Sequence, residues 1–330
     1  MSFRTPGFWS ERGWQAYALL PFSLIYDALR RLKNHRAKPY RAKVAVLCIG
    51  GITAGGAGKT PLALYIGEWM KSRGKKAFYL SRGYGGRLTE ATLVDPAKHS
   101  AHDVGDEPLM LAAVLPTIIA AERPRGAELA ASLGADIIIM DDGLHNPTIA
   151  KTRSILVIDG SVGFGNGFLL PAGPLRAPLG ETLSKVDAVF VVNPGQDFSM
   201  PENPKPTFTA ISQPIGVNDV RGKRWVAFCG LAYPQKFFTT LHNLGAHVMA
   251  TRCFADHHPY TPEEVEGLRR MASAHGAQLI TTAKDWVRLP EAERHGITVL
   301  HIQLLIENNE DFNVWLTMFL PPPAGGARGG

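Results

Sequence analysis

Gly55, Gly56 and Gly58 precede Lys59 and Thr60 in the stretch "GITAGGAGKTP" of residues 51–61. Glycines at this spacing let consecutive backbone N–H groups turn inward on an anion, and a helix starting near Lys59 adds its positive end. Lys59 then supplies a mobile charge for the terminal phosphates of a nucleotide, and Thr60 a hydroxyl for Mg2+. The strict pattern G-x-x-x-x-G-K-[ST] would place glycine at position 53, where this chain has Thr53. The double glycine at 55 and 56 asks only that Thr53 avoid positive φ. Thr53, Ala54, Gly55, Gly56, Ala57, Gly58, Lys59 and Thr60 are therefore the candidate nucleotide contacts.

A phosphate cradle needs a carboxylate to organise its metal, and Asp141 and Asp142 directly follow the apolar run "ADIIIM" of residues 135–140. A strand-end turn is the plainer reading of "DDG". Phosphoryl transfer also needs a group that orients and deprotonates the acceptor. "GDEP" puts Asp106 and Glu107 just before a helical pattern, where they read either as first-turn acids or as two carboxylates with separate tasks. "DHH", residues 256–258, reads equally as a surface loop with two histidines or as an imidazole, His257, with a carboxylate beside it, in a loop that would cross a cleft if the two halves of the chain face one another. The segments "SRGYGGR" (81–87) and "FGNGFLLPAGPLR" (164–176) carry cations and glycines; both read as plain turns, or as loops that place Arg82 and Arg176 where strand ends would reach a polyanion.

The elements that must hold these residues alternate. Strands are expected at 43–49, 76–80, 117–121, 135–140, 154–158 and 188–192, with helices at 60–73, 108–114 and 125–133, which implies a parallel sheet covered on both faces. Ligands of such sheets sit at the strand carboxyl ends. Residues 201–222 are rich in Pro, Asn and Gln and read as a linker or crossover, with a short strand-like piece at 208–211. A second alternation follows, with strands at 225–229, 246–251, 278–282 and 298–302. Its helices are expected at 234–244 and at 262–275, the latter capped by Thr261. The expected division is thus 1–42 as an apolar and basic segment, 43–200 as the core domain, 201–222 as linker, 223–320 as a smaller α/β domain and 321–330, "PPPAGGARGG", as a disordered tail.

The chain has 330 residues, 45% hydrophobic and 19% charged, proportions that exclude a wholly disordered chain or a multi-span membrane protein. Cys48, Cys229 and Cys253 are too few and too scattered for a disulfide framework or a zinc site, which fits a reducing compartment. The net charge of +6 is uneven: no acidic residue lies between Asp27 and Glu68, while Arg30, Arg31, Lys33, Arg36, Lys38, Arg41 and Lys43 crowd that interval. Before it, "WQAYALLPFSLIYDAL" (14–29) is apolar and aromatic but shorter than the roughly 20 residues a bilayer span needs. The pair of features suits a helix lying in a membrane interface, and equally a first helix packed on the core. Few aromatics accompany the basic run, and no nucleic-acid partner is expected.

Taken together, "TAGGAGKTP", "SRGYGG", "GDEPLML", "DDGLHN", "GNGFLLPAGPLR", "FADHH" and "TTAKDWVRL", in this order over residues 16–305, resemble the tetraacyldisaccharide 4'-kinase family, the lipid A 4'-kinases of Gram-negative bacteria. The resemblance implies a P-loop NTPase-like α/β fold with a smaller C-terminal α/β domain and an N-terminal membrane-interface helix. It implies transfer of the γ-phosphate of ATP, with Mg2+, to the 4'-hydroxyl of a tetraacylated disaccharide 1-phosphate, giving lipid IVA. Such kinases are peripheral proteins on the cytoplasmic face of the inner membrane. By motif, Lys59 and Thr60 bind phosphate and Mg2+, Asp141 and Asp142 belong to the metal site with Glu107 nearby, and Asp106 is the catalytic base assisted by His257. Arg82, Tyr84, Arg123 and Arg176 stand in segments that look like substrate or phosphate contacts. Two departures are evident: Gly51 stands in place of a usual Gly-Asn pair, and His145 and Asn146 stand where the family commonly has Gln-His. A membrane-associated regulatory or partitioning ATPase is the rival reading of the same loop; it needs no acceptor base.

Overall fold

The computed structural model describes residues 6–54, 58–196, 198–231 and 233–318. Gly55, Gly56 and Ala57 of the glycine loop, and the tail expected at 321–330, lie outside the described residues. The strands are β1 Ala45–Gly51, β2 Ala77–Ser81, β3 Thr92–Leu93, β4 Thr117–Ile119, β5 Ile137–Asp141, β6 Arg153–Asp159, β7 Ala188–Val192, β8 Thr207–Ile215, β9 Arg224–Cys229, β10 His247–Cys253, β11 Gln278–Thr282 and β12 Ile297–Ile306. They form one sheet in the order β10-β9-β11-β12-β8-β7-β6-β1-β5-β2-β4-β3. From β8 to β4 all neighbours are parallel, as are β10, β9, β11 and β12 among themselves.

Alternation along β1 shows why both faces are covered. Leu47 and Ile49 enter a core with Leu62, Ile66 and Met70 of the helix Lys59–Ser72, while Val46 and Cys48 enter another with Ala127 and Ala130 of the helix Arg123–Ser132. Side chains two apart share a face, so a strand that is apolar throughout must be sandwiched. The carboxyl ends of β1, β5 and β2 then present Gly51, Asp141 and Ser81 side by side.

The two parallel sets meet at an antiparallel ribbon. Residues 207–210 of β8 pair with β7 and residues 210–215 with β12, which in turn gives residues 297–300 to β11. The strand-like piece expected at 208–211 is thus part of a nine-residue strand. After β12, the helix Asn309–Thr317 returns to the first half, where Phe312 packs on Phe190 and Phe208 and Tyr65 donates to Asn313 at 3.1 Å.

Residues Trp14–Arg36 form a single helix of 23 residues that accommodates Pro21. Only a narrow stripe docks: Ala16 and Ser23 are buried, and the Ser23 hydroxyl donates to the Leu169 carbonyl at 2.8 Å and accepts from Ala172 N–H. Trp14, Tyr17, Phe22, Leu24, Ile25 and Leu29 are each more than half exposed. Among the described residues no helix is long and apolar enough to cross a membrane.

Candidate active site

The described limbs of the glycine loop are fixed on both sides. On one side, Ala54 N–H donates to the Pro174 carbonyl and Arg176 N–H to the Ile52 carbonyl, each at 2.8 Å, and Thr53 bridges Leu175 in antiparallel fashion. An extended residue in a two-stranded contact suits a β-branched side chain, so threonine at 53 meets the local demand. On the other side Gly58 caps the helix Lys59–Ser72 with φ +73°, a conformation that a side chain would strain. The helix therefore starts directly after the loop, with Lys59 and Thr60 in its first turn and its positive end toward the loop. Behind it the His145 ring donates from Nε2 to the Gly51 carbonyl at 3.0 Å. Burial pushes this imidazole down to about 4, so it stays neutral while it holds the end of β1.

Lys59, Asp142 and Arg176 converge. Lys59 is buried with its Nζ 3.6 Å from Asp142 Oδ1, and Arg176 Nη1 donates to both oxygens of Asp142 at 3.2 and 3.0 Å. Asp142 adopts φ +49°, uncommon for a side-chain-bearing residue, at the turn after β5. Burial acts to raise its pKa, but Lys59 and Arg176 outweigh that and hold it ionised. Asp141 has the opposite balance. It is buried, its Oδ1 has no hydrogen-bond partner, and burial together with the charge of Glu107 pushes it above the usual carboxylate range despite Lys59.

An orphaned buried carboxylate oxygen asks for a cation. Among the described residues no three His, Cys, Asp or Glu side chains form a cage by themselves. Mg2+ is commonly held by one or two carboxylates with phosphate oxygens and waters, so the donor set of Asp141, Asp142 and the Thr60 hydroxyl fits that ion. Arg123 lies close by and is almost fully buried; Nη1 donates to the Ala120 carbonyl at 2.6 Å and Nε has no partner. Burial, then the charge of Arg82, brings its pKa down to about 10, while Asp141 and Asp142 act against that. Arg82 and Tyr84 are exposed on the neighbouring loop.

The second carboxylate cluster is assembled from both halves. Gly105, φ +89°, precedes the helix Asp106–Ala112, and a Cβ there would lie 2.5 Å from the Tyr84 carbonyl, so glycine lets the two loops touch. Asp106 is buried; Oδ1 accepts from Glu107 N–H at 3.0 Å. Oδ2 faces His257 Nδ1 at 3.1 Å, accepts from Arg288 Nε at 2.9 Å and from Arg288 Nη2, and lies 3.8 Å from Lys284 Nζ. Burial would raise the Asp106 pKa, but the His257 hydrogen bond and the charges of Lys284 and Arg288 hold it well below the usual carboxylate range.

His257 has φ +60° and stands edge-on to Tyr84, ring centroids 6.1 Å apart. Its neighbour braces the loop: His258 stacks on Phe254 and its Nε2 lies 2.8 Å from Glu264 Oε2. Glu264 also accepts from Thr261 N–H at 3.0 Å, completing the capping box of the helix Pro262–Ala274.

The structure thus brings Lys59, Asp141, Asp142, Arg123 and Arg176 to one cluster and Asp106 and His257 to another, with Glu107 near enough to act on Asp141. Sequence reasoning named no residue in "TTAKDWVRL", yet Lys284, Asp285 and Arg288 come from it. Its local signal is Thr282 and Asp285 at capping distance after a strand. Nothing local points to Asp106, 182 positions away.

A family model described as tetraacyldisaccharide-1-P 4'-kinase matches residues 15–320. The chain is 45% identical over 310 residues to a tetraacyldisaccharide 4'-kinase of Methylorubrum extorquens, covering 91% of this chain and 94% of the other. It is 40% identical over 326 residues to one of Rhodospirillum centenum, covering 96% and 97%. Among solved structures, LpxK from Aquifex aeolicus in complex with ATP superposes with a TM-score of 0.79 at 26% identity, over 93% of this chain and 99% of that one.

Proposed function

The chain belongs to the tetraacyldisaccharide-1-P 4'-kinase family, and from that premise we propose that it moves the γ-phosphate of ATP to the 4'-hydroxyl of a tetraacylated disaccharide 1-phosphate at the cytoplasmic surface of the inner membrane. The family's lipid A 4'-kinase activity is ATP-dependent and acts on a lipid disaccharide, with Mg2+ as the usual partner ion. Bound with ATP, Mg2+ neutralises charge on the phosphate oxygens and organises them for in-line displacement. In this chain Asp141, Asp142 and the Thr60 hydroxyl would hold it, with Glu107 at their margin.

The roles of the side chains follow from their surroundings. Lys59, in the first helical turn, places its ammonium where the terminal phosphates of the donor enter the loop, and Arg176 keeps Asp142 ionised. Arg123 and Arg82 supply the positive charge that the transferring group develops a need for. Asp106 accepts the acceptor hydroxyl's proton, with His257 sharing its Oδ2 side. The observation that carries this reading is the buried Asp106 of the first half, met at Oδ2 by His257 Nδ1 at 3.1 Å and Arg288 Nε at 2.9 Å of the second half and followed in sequence by Glu107. A switch ATPase has no use for an acceptor-facing carboxylate beside its metal site.

The lipid reaches this site from the bilayer. The exposed aromatic and aliphatic side chains of the helix Trp14–Arg36, followed by the cationic run through Lys43, support an interfacial helix on an anionic leaflet. The deciding experiment incubates the full chain with labelled ATP, Mg2+ and the detergent-dispersed disaccharide 1-phosphate. Label is expected in a bisphosphorylated lipid; ATP hydrolysis without labelled lipid would favour the regulatory ATPase instead.

A further inference from the structure

Asp285 has no solvent exposure, and both of its carboxylate oxygens are engaged. Oδ1 accepts from Gly230 N–H at 2.8 Å, from the Tyr260 hydroxyl at 2.9 Å and from Arg288 Nη1 at 3.1 Å; Oδ2 accepts from the Thr282 hydroxyl at 2.6 Å. Arg288 Nη1 donates a second time, to the Gly230 carbonyl at 2.8 Å. One edge of the guanidinium is thereby fixed within the second half, and the other edge, Nε and Nη2, leaves that half and lands on Asp106 Oδ2. A planar group held along one edge has no freedom to swing the other. Lys284 stands 3.8 Å from the same oxygen and is a quarter exposed, and His257 is more exposed still, whereas Arg288 and Asp106 are both buried.

We propose that Arg288, aimed by Asp285, is a positioning residue for phosphoryl transfer: it fixes Oδ2 of Asp106 so that the carboxylate and His257 present one orientation to the acceptor hydroxyl. The proposal rests on Asp106 being the carboxylate that activates the acceptor. Arginine suits the task because its fork sets direction as well as charge, whereas an ammonium supplies charge alone. The cage explains why Asp285 is buried in full: without it Arg288 would have no fixed plane.

The test is steady-state kinetics on the full chain with ATP, Mg2+ and detergent-dispersed disaccharide 1-phosphate, for Arg288→Gln, Arg288→Lys and Asp285→Asn, alone and combined with Asp106→Asn. Arg288→Gln is expected to lower kcat about 10²-fold with the KM for ATP changed by no more than about threefold, the signature of a displaced catalytic group. Arg288→Lys should recover only part of that loss, and Asp285→Asn should fall between Arg288→Lys and wild type. In the Asp106→Asn background, Arg288→Gln should cost nothing further, because the group it positions is gone. Wild-type kcat in Arg288→Gln, full recovery by Arg288→Lys, or losses that multiply with those of Asp106→Asn would overturn the proposal. If Arg288→Gln does not fold, Arg288→Lys and Asp285→Asn decide by the same double-mutant comparison. Full activity in Asp106→Asn would instead remove Asp106 as the activating group.

Discussion

Asp142 and Asp106 are both carboxylates ringed by cations, and the cations come from different places. At Asp142 they are Lys59, in the first turn of the helix that follows β1, and Arg176, in the segment that follows β6, both from the first half. At Asp106 they are Lys284 and Arg288, joined by the imidazole of His257, all from the second half. Among the described residues the Asp142 cluster, the proposed donor side, draws on the first half alone, while the Asp106 cluster, the proposed acceptor side, draws on both halves. On the proposed assignment, a kinase whose acceptor is a lipid would gain from this division: ATP would bind without a competent acceptor site, and transfer to water would be disfavoured until both clusters are assembled.

The sharpest way to break that comparison is to remove one member of each cluster. Asp106→Asn should lower kcat about 10³-fold while calorimetry finds the Kd for ATP within about twofold of wild type. Lys59→Ala should lower turnover and weaken ATP together if its ammonium meets the donor's phosphates as proposed. If Asp106→Asn weakens ATP as much as Lys59→Ala does, the two carboxylates are one unit.

A smaller effect separates membrane contact from the donor cluster. The helix Trp14–Arg36 is braced to that side: the Tyr26 hydroxyl donates to the Arg176 carbonyl at 3.1 Å, and Arg176 in turn holds Asp142. Its exposed apolar residues Leu24, Ile25 and Leu29 take no part in those hydrogen bonds. The triple change Leu24→Ser, Ile25→Ser and Leu29→Ser should weaken partition onto anionic vesicles about 10²-fold, taking roughly 1 kcal/mol for each apolar side chain. Turnover on detergent-dispersed substrate should stay near wild type. Unchanged co-sedimentation with vesicles would show that this face does not meet lipid.

The same division decides what could be read from the sequence. The donor side is local: glycines, lysine and threonine are consecutive, the two aspartates end an apolar strand, and most of the first-half strands fall within a residue or two of their expected bounds. The acceptor side is not. Asp106 reads as a first-turn acid until His257 and Arg288 arrive from more than 150 positions away. The β8 and β12 ribbon was faint because Pro, Asn and Gln depress strand propensity, while pairing between two distant segments overrides it. The exchange at His145 has a structural account in its bond to the Gly51 carbonyl, a contact that no spacing within "DDGLHN" announces.

The finest test of the donor side's self-sufficiency is the ion pair that docks the N-terminal helix. Arg30 reaches both oxygens of Glu181, at 2.8 and 2.5 Å, and Lys185 adds a contact at 2.6 Å. The hydrogen bond from Arg30, against the effect of burial, brings the Glu181 pKa from 4.5 down to about 2. A carboxylate whose folded pKa is depressed contributes stability that is present above its unfolded pKa and is lost as pH falls through the folded value. Wild type should therefore melt about 1–2 °C above Glu181→Gln at neutral pH, a small margin because the pair is partly solvated. That margin should hold down to pH 5, shrink between 4.5 and 2, and vanish below. A margin that persists unchanged at pH 2 would mean that helix docking rests on uncharged contacts such as those of Ala16, Ser23 and Tyr26, and that the charge at Glu181 is incidental to it.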